Sequence, residues 1–244
     1  MMEKYYLFIF LAFISEILGT ISGFGSSILF VPIASLFFDF KTVLGITAVF
    51  HVFSNLSKIF LFRKGIDKNI TLKLGIPAVI FVIIGAILTS YLPTESLEFI
   101  MNIALVLLSI FLIIKFNSQL KQSNSNLILG GTFSGLLAGL VGTGGAIRGL
   151  LLSAFRLPKD IFIATSALID LGVDSSRAVV YLANGYFKYE YIFLIPFLII
   201  ISILGTYFGK LILKFTSENV FRYLVLGLII VISVVNTLMY IDIF

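Results

Sequence analysis

Long apolar stretches separated by short polar ones run through almost the whole chain. The first covers residues 5–38 and is interrupted at Gly23-Phe24-Gly25-Ser26-Ser27. Further apolar runs cover 42–62, 72–92 and 97–114, and a polar linker rich in Ser, Asn, Gln and Lys occupies 116–126. The second half repeats the plan. A run over 127–157 is broken at Gly142-Thr143-Gly144-Gly145, and runs over 161–183, 191–213 and 220–240 follow it. Each unbroken run is close to the roughly 20 residues that a helix needs to cross a bilayer. The alternating segments of about ten residues that mark a membrane barrel are absent. The pattern predicts an all-α polytopic membrane protein.

The two halves align with each other. Gly23 and Gly142 lie 119 residues apart, and the same shift sets Ser15 on Ser134, Gly25 on Gly144, Ile28 on Ile147 and Pro77 on Pro196. This predicts two structural repeats, 1–115 and 127–244, joined by the linker. Glycine breaks at matching positions of an internal repeat are the usual sequence sign of a transporter core.

Charge then bears on how the repeats lie. If each broken block turns back at its glycines, each repeat is a re-entrant hairpin (5–38 or 127–157) plus three crossings, and the repeats are inverted. One membrane face then receives Lys4, Lys41 and Lys188. The other receives Arg63, Lys64, Lys68, Lys73, Lys115, Lys121, Arg156, Lys159, Lys210, Lys214 and Arg222. The positive-inside rule favours that asymmetry and sets both termini outside, with a cytoplasmic linker. The alternative is eight full crossings with parallel repeats, which divides the basic residues almost evenly. The arms after the breaks, 28–38 and 146–157, measure about 16–18 Å at helical rise, near half of a ~30 Å bilayer core.

Composition agrees with membrane residence: 59% of the 244 residues are hydrophobic and 12% charged, with a mean hydropathy of +1.14. The net charge of +5 fits basic cytoplasmic loops and gives no reason to expect nucleic-acid binding. No apparent cleavage site follows the first apolar run, so it reads as a retained helix. Without cysteine and with His51 as the one histidine, no Cys-ligated or multi-histidine metal centre is expected. No Walker A motif is present, and nothing calls for a cofactor.

Three features carry chemistry. The arms after the breaks begin with unsatisfied N–H groups and the positive end of a helix dipole, which favours an anion. Gly23, Gly25, Ser26, Ser27, Gly142, Thr143, Gly144 and Gly145 are the expected lining there. The plainer reading of these glycines is close helix packing. Second, a polar stripe follows each break, His51-Asn55-Lys58 in the first half and Asp170-Asp174-Arg177 in the second. Spacings of four and three put each trio on one helical face. Ionisable groups deep in a bilayer are costly and point to a pathway. Lys58 has two readings, a site cation or a snorkelling anchor. Asp174 and Arg177 have two as well, a site or a structural ion pair. Third, Arg148 stands three residues after the second break, where the first half has Leu29. It suits the oxygens of a carboxylate, sulfonate or sulfite, or it pairs with Asp170 or Asp174. Glu16, His51 and Asp170 are candidates for proton coupling.

The segments Gly19-Thr20-Ile21-Ser22-Gly23-Phe24-Gly25-Ser26-Ser27 and Gly139-Leu140-Val141-Gly142-Thr143-Gly144-Gly145 resemble the openings of the two halves in the TauE/SafE family of sulfite exporter-like membrane proteins. His51-x-x-x-Asn55 and the basic loop Arg63-Lys64-Gly65 look like that family too. The resemblance implies a plasma-membrane carrier of sulfur-containing or other organic anions, often an exporter. It assigns no role to Arg148, Asp170 or Asp174. The expected activity is secondary transport of a small anion by alternating access. A passive anion channel is the alternative, and an intramembrane enzyme is a more distant one.

Overall fold

A computed structural model describes residues 2–62, 65–114, 122–155, 157–215, 217 and 234. Arg63, Lys64, Lys115, Lys121, Arg156 and Arg222 lie outside the described residues, as does nearly all of the run expected over 220–240. Nine α-helices are present among the described residues: α1 (Met2–Ser22), α2 (Ser27–Ser35), α3 (Phe40–Leu61), α4 (Lys68–Leu88), α5 (Thr94–Ile114), α6 (Asn124–Val141), α7 (Gly145–Ala154), α8 (Lys159–Ala183) and α9 (Leu194–Leu213). Of these, α1, α3, α4 and α9 are long and apolar enough to cross a membrane. The chain is a polytopic, all-helical membrane protein. At 25 residues α8 is also long, but Lys159, Asp160, Asp170, Asp174 and Arg177 make it more polar.

Helix ends differ from the apolar runs by up to a turn, for local reasons. The Asp39 side chain caps α3 by accepting from the Thr42 N–H, and Asp67 caps α4 by accepting from Ile70. Capping carboxylates draw polar residues into the first turn, so these helices begin earlier than their apolar stretches. α4 also ends early. The Thr89 and Ser90 hydroxyls bond back to the Ala86 and Ile87 carbonyls, and Pro93 follows. A single 3-10 turn at Tyr189–Tyr191 precedes α9.

The glycine breaks fall where the pattern placed them. Gly23 and Gly25 (φ 69° and 82°) separate α1 from α2, and Gly142 (φ 80°) ends α6 ahead of α7. These left-handed conformations suit glycine alone among common residues. After each break the chain doubles back. Gly19 abuts Ser26, while Phe8 near the start of α1 meets Phe30 of α2 at 5.7 Å and Phe38 beyond it at 4.9 Å. Likewise Gly144 abuts Ala138, and Gly130 near the start of α6 abuts Leu151 of α7. In the bundle α1 packs on α9, α6 on α4, and α3 crosses α8.

Candidate functional site

The two breaks meet in the middle of the bundle. A Cβ on Gly145 would lie 2.5 Å from the Phe24 carbonyl oxygen and 3.5 Å from Ser27 Oγ, so only glycine allows this approach. The first turns of α2 and α7 therefore start next to each other. Helix geometry leaves their first amides without intrahelical acceptors. Ser26, at the N-cap of α2, makes no side-chain cap. Its hydroxyl points instead to Glu16 and His51.

The polar stripes of α3 and α8 face this junction. Asn55 Nδ2 donates to Asp174 Oδ2 at 2.7 Å, between residues 119 apart in sequence. Asp174 Oδ1 also accepts from Arg177 Nε at 2.7 Å, which makes the expected pair at spacing three. Arg177 reaches further and donates from Nη1 to the Ala138 carbonyl near the second break. Tyr181 donates to the Gly139 carbonyl beside it. Arg148 faces Asp170 through Nη2 and Oδ1, and Ser166 donates to Asp170 Oδ2. Arg148 is 3% exposed, and its Nε and Nη1 have no hydrogen-bond partner among the described residues.

A second cluster lies behind this one. Glu16 is fully buried, and among the described residues it is surrounded by hydroxyls and one ammonium. Lys58 Nζ is 2.9 Å from Oε1. Ser54 and Thr206 donate to the same oxygen at 2.7 and 3.0 Å, and Thr20 more loosely at 3.3 Å. Ser26 donates to Oε2 at 2.6 Å. The Lys58 ammonium is the charged partner of this carboxyl group. Lys58 is 6% exposed and held by Ser54 and Glu16, so it does not snorkel.

One pocket is lined by Gly25, Ser26, Ser27, His51, Asn55, Lys58, Gly142, Gly144, Gly145, Arg148, Asp170, Asp174 and Arg177, together with Ala138. It is drawn in to the room of about one water. Gly23 lines an adjoining pocket with Gly19, Thr20, Ile163 and Ser166, and Gly25, Asn55, Lys58 and Asp170 border both. Thr143 is buried and lines neither. Ser54, Thr206, Thr20 and Tyr181 were not expected. A hydroxyl in an apolar helix usually bonds its own preceding turn, as Ser15 and Ser57 do here, so sequence carries no signal for these four.

Buried charges gathered where two broken helices meet, inside an apolar bundle, are an arrangement typical of membrane transporter cores. The family model described as "Sulfite exporter TauE/SafE" matches residues 7–235, and the chain belongs to that family. It is also 31% identical over 157 residues to a probable membrane transporter protein of Methanocaldococcus jannaschii. The chain spans 58% of that relative's length, and the match covers 58% of this chain.

Proposed function

We propose that this transporter carries a small oxyanion of the sulfite or sulfonate kind, bound at the junction of α2 and α7 and moved by alternating access. Family membership points to such cargo. The observation that carries the reading is Arg148. It is a buried guanidinium with Nε and Nη1 unused, lining a pocket beside two helix starts. An anion there would fill those donors and meet the free amides of the first turns. Lys58 and Arg177 line the same pocket.

The architecture we infer is two inverted repeats, each a re-entrant hairpin (α1–α2, α6–α7) followed by crossing helices. Support comes from contacts between helix ends. Asp39 and Lys188 form an ion pair at 2.8 Å, and Lys210 donates to the Leu61 carbonyl. Eight full crossings would set the members of each pair on opposite membrane faces. Support also comes from Asn55 and Asp174, equivalent under the repeat and in contact with each other, as residues at a pseudo-two-fold axis are. Such an axis lets one repeat rock against the other around a fixed site.

Purified protein tested by thermal shift against sulfite, methanesulfonate, sulfate and acetate should be stabilised by at least one of them, in proportion to its concentration. Stabilisation by none would sink the anion reading. Counterflow of a labelled anion in proteoliposomes separates a carrier, which shows it, from a channel, which does not.

A further inference from the structure

Glu16 touches the pocket through its neighbours and is itself out of the lining. The hydrogen bonds around it have a direction. Ser26 has one hydroxyl proton and gives it to Glu16 Oε2 at 2.6 Å. Ser26 Oγ also lies 2.9 Å from His51 Nε2, with donor and acceptor set by the imidazole tautomer. His51 Nδ1 is buried without a hydrogen-bond partner among the described residues. His51 and Ser26 both line the pocket. A wire of two hydrogen bonds therefore runs from the pocket to a buried carboxylate.

We propose that Glu16 is the proton acceptor of a proton–anion symport, loaded from the pocket through Ser26. This rests on the anion-carrier reading above. The step balances as a relay. An excess proton delivered by a pocket hydronium reaches Ser26 Oγ, directly or by way of His51 Nε2, as Ser26 passes its own hydroxyl proton to Glu16 Oε2. One proton enters, one rests on Glu16, Ser26 keeps one hydroxyl proton, and His51 and the water are left neutral.

The consequence for the anion lies with Lys58. In the present state its ammonium is held by Glu16. Once Glu16 is neutral, that charge is released to the pocket, which Lys58 already lines. Proton and anion then favour each other's binding, and linkage makes the effect reciprocal. The other groups facing the wire leave Glu16 as the open acceptor. Among the described residues of α2, α3 and α9, Glu16 meets the Ser26, Ser54 and Thr206 hydroxyls, with Lys58 the one charged group. Across the pocket from His51, Asp170 is held by Arg148, and Asp174 by Arg177 and Asn55.

The test is calorimetric titration of the tightest binder among methanesulfonate, sulfate, acetate and sulfite, in Tris and in bis-tris at one pH. The two buffers differ in ionisation heat, so the difference counts protons taken up per anion. The wild type should take up about one proton per anion, and Glu16→Gln should bind with uptake near zero. Binding without uptake in the wild type overturns the proposal and leaves the carrier reading standing. So does uptake undiminished in Glu16→Gln. Binding of no anion overturns both. If Glu16→Gln does not fold, Glu16→Gln with Lys58→Gln removes the buried pair together and should also lose uptake. Ser26→Ala keeps the acceptor but cuts the wire. It should retain equilibrium uptake while slowing pH-driven flux in proteoliposomes at least several-fold, and unchanged flux would remove Ser26 from the route.

Discussion

At the scale of single residues, Arg148 is where function and stability conflict. An unpaired buried donor costs on the order of 1–3 kcal/mol, and Arg148 carries two such nitrogens, Nε and Nη1, among the described residues. An anion bound there, as proposed, would offset that cost. Arg148→Leu copies the residue at the matching position of the first half, Leu29. It should abolish anion-induced stabilisation, and it also strands Asp170 as a buried carboxylate, at a cost of roughly 3–5 kcal/mol. Arg148→Leu combined with Asp170→Asn removes both charges. It should regain most of the lost melting temperature in detergent and still fail to respond to anion. A wild-type response in that double variant would take Arg148 out of the site. The charged members of the site were legible in the sequence because ionisable groups at spacings of three and four stand out from apolar helices. Their pairings were not, since Arg148–Asp170 and Asn55–Asp174 depend on how separate helices cross. Glu16 was visible, but its importance rests on hydroxyls of α2, α3 and α9, which sequence does not distinguish from ordinary helix serines and threonines.

At the scale of elements, the break positions followed from glycine clustering, and the helix ends did not follow from hydropathy, because carboxylate caps at Asp39 and Asp67 set them. Close packing between helices separates one glycine from another in a way composition cannot. α6 lays Gly131, Gly135 and Gly139 against the Leu74, Ala78 and Val82 carbonyls of α4, where an added Cβ would fall 2.2, 2.2 and 2.3 Å away. Gly135→Ala should therefore lower thermal stability by about 1–3 kcal/mol or more through overpacking. Gly75→Ala, whose Cβ would sit at an ordinary 3.4 Å from Ile169, should raise it by up to about 1 kcal/mol of helix propensity. Equal melting shifts for the two would mean that α6 and α4 are not in this contact. The cap of α3 has a pH signature. Partial burial raises the Asp39 carboxyl, but hydrogen bonds from Lys188 and Thr42 outweigh it and leave Asp39 below its ordinary value of 3.8. A carboxyl depressed by folding stabilises above its unfolded pKa and loses that contribution as pH falls through the folded one. Asp39→Asn keeps a capping oxygen and loses the ion pair. Its melting-temperature deficit should be constant from pH 5 to 7 and shrink below about pH 4. A deficit that grows on acidification would contradict the sign.

At the scale of the whole molecule, the question is which loops share a membrane face. Basic residues and helix-end contacts bear on it independently. The charge asymmetry comes from sequence and includes residues outside the described structure, whereas the Asp39–Lys188 and Leu61–Lys210 contacts are local geometry. Both favour hairpins that return to the face they left, the arrangement in which the starts of α2 and α7 would flank the proposed anion. The chain has no cysteine, so single cysteines can report sidedness without a background. With Lys41→Cys, Lys188→Cys, Lys68→Cys and Lys159→Cys in intact cells, a membrane-impermeant thiol reagent should label the first two and spare the last two. Lys159 is the deciding position, since eight full crossings would put it on the face of Lys41. If cysteines at 41 and 159 label together, the hairpins cross fully, the starts of α2 and α7 no longer meet as opposed halves, and the anion site at their junction goes with them.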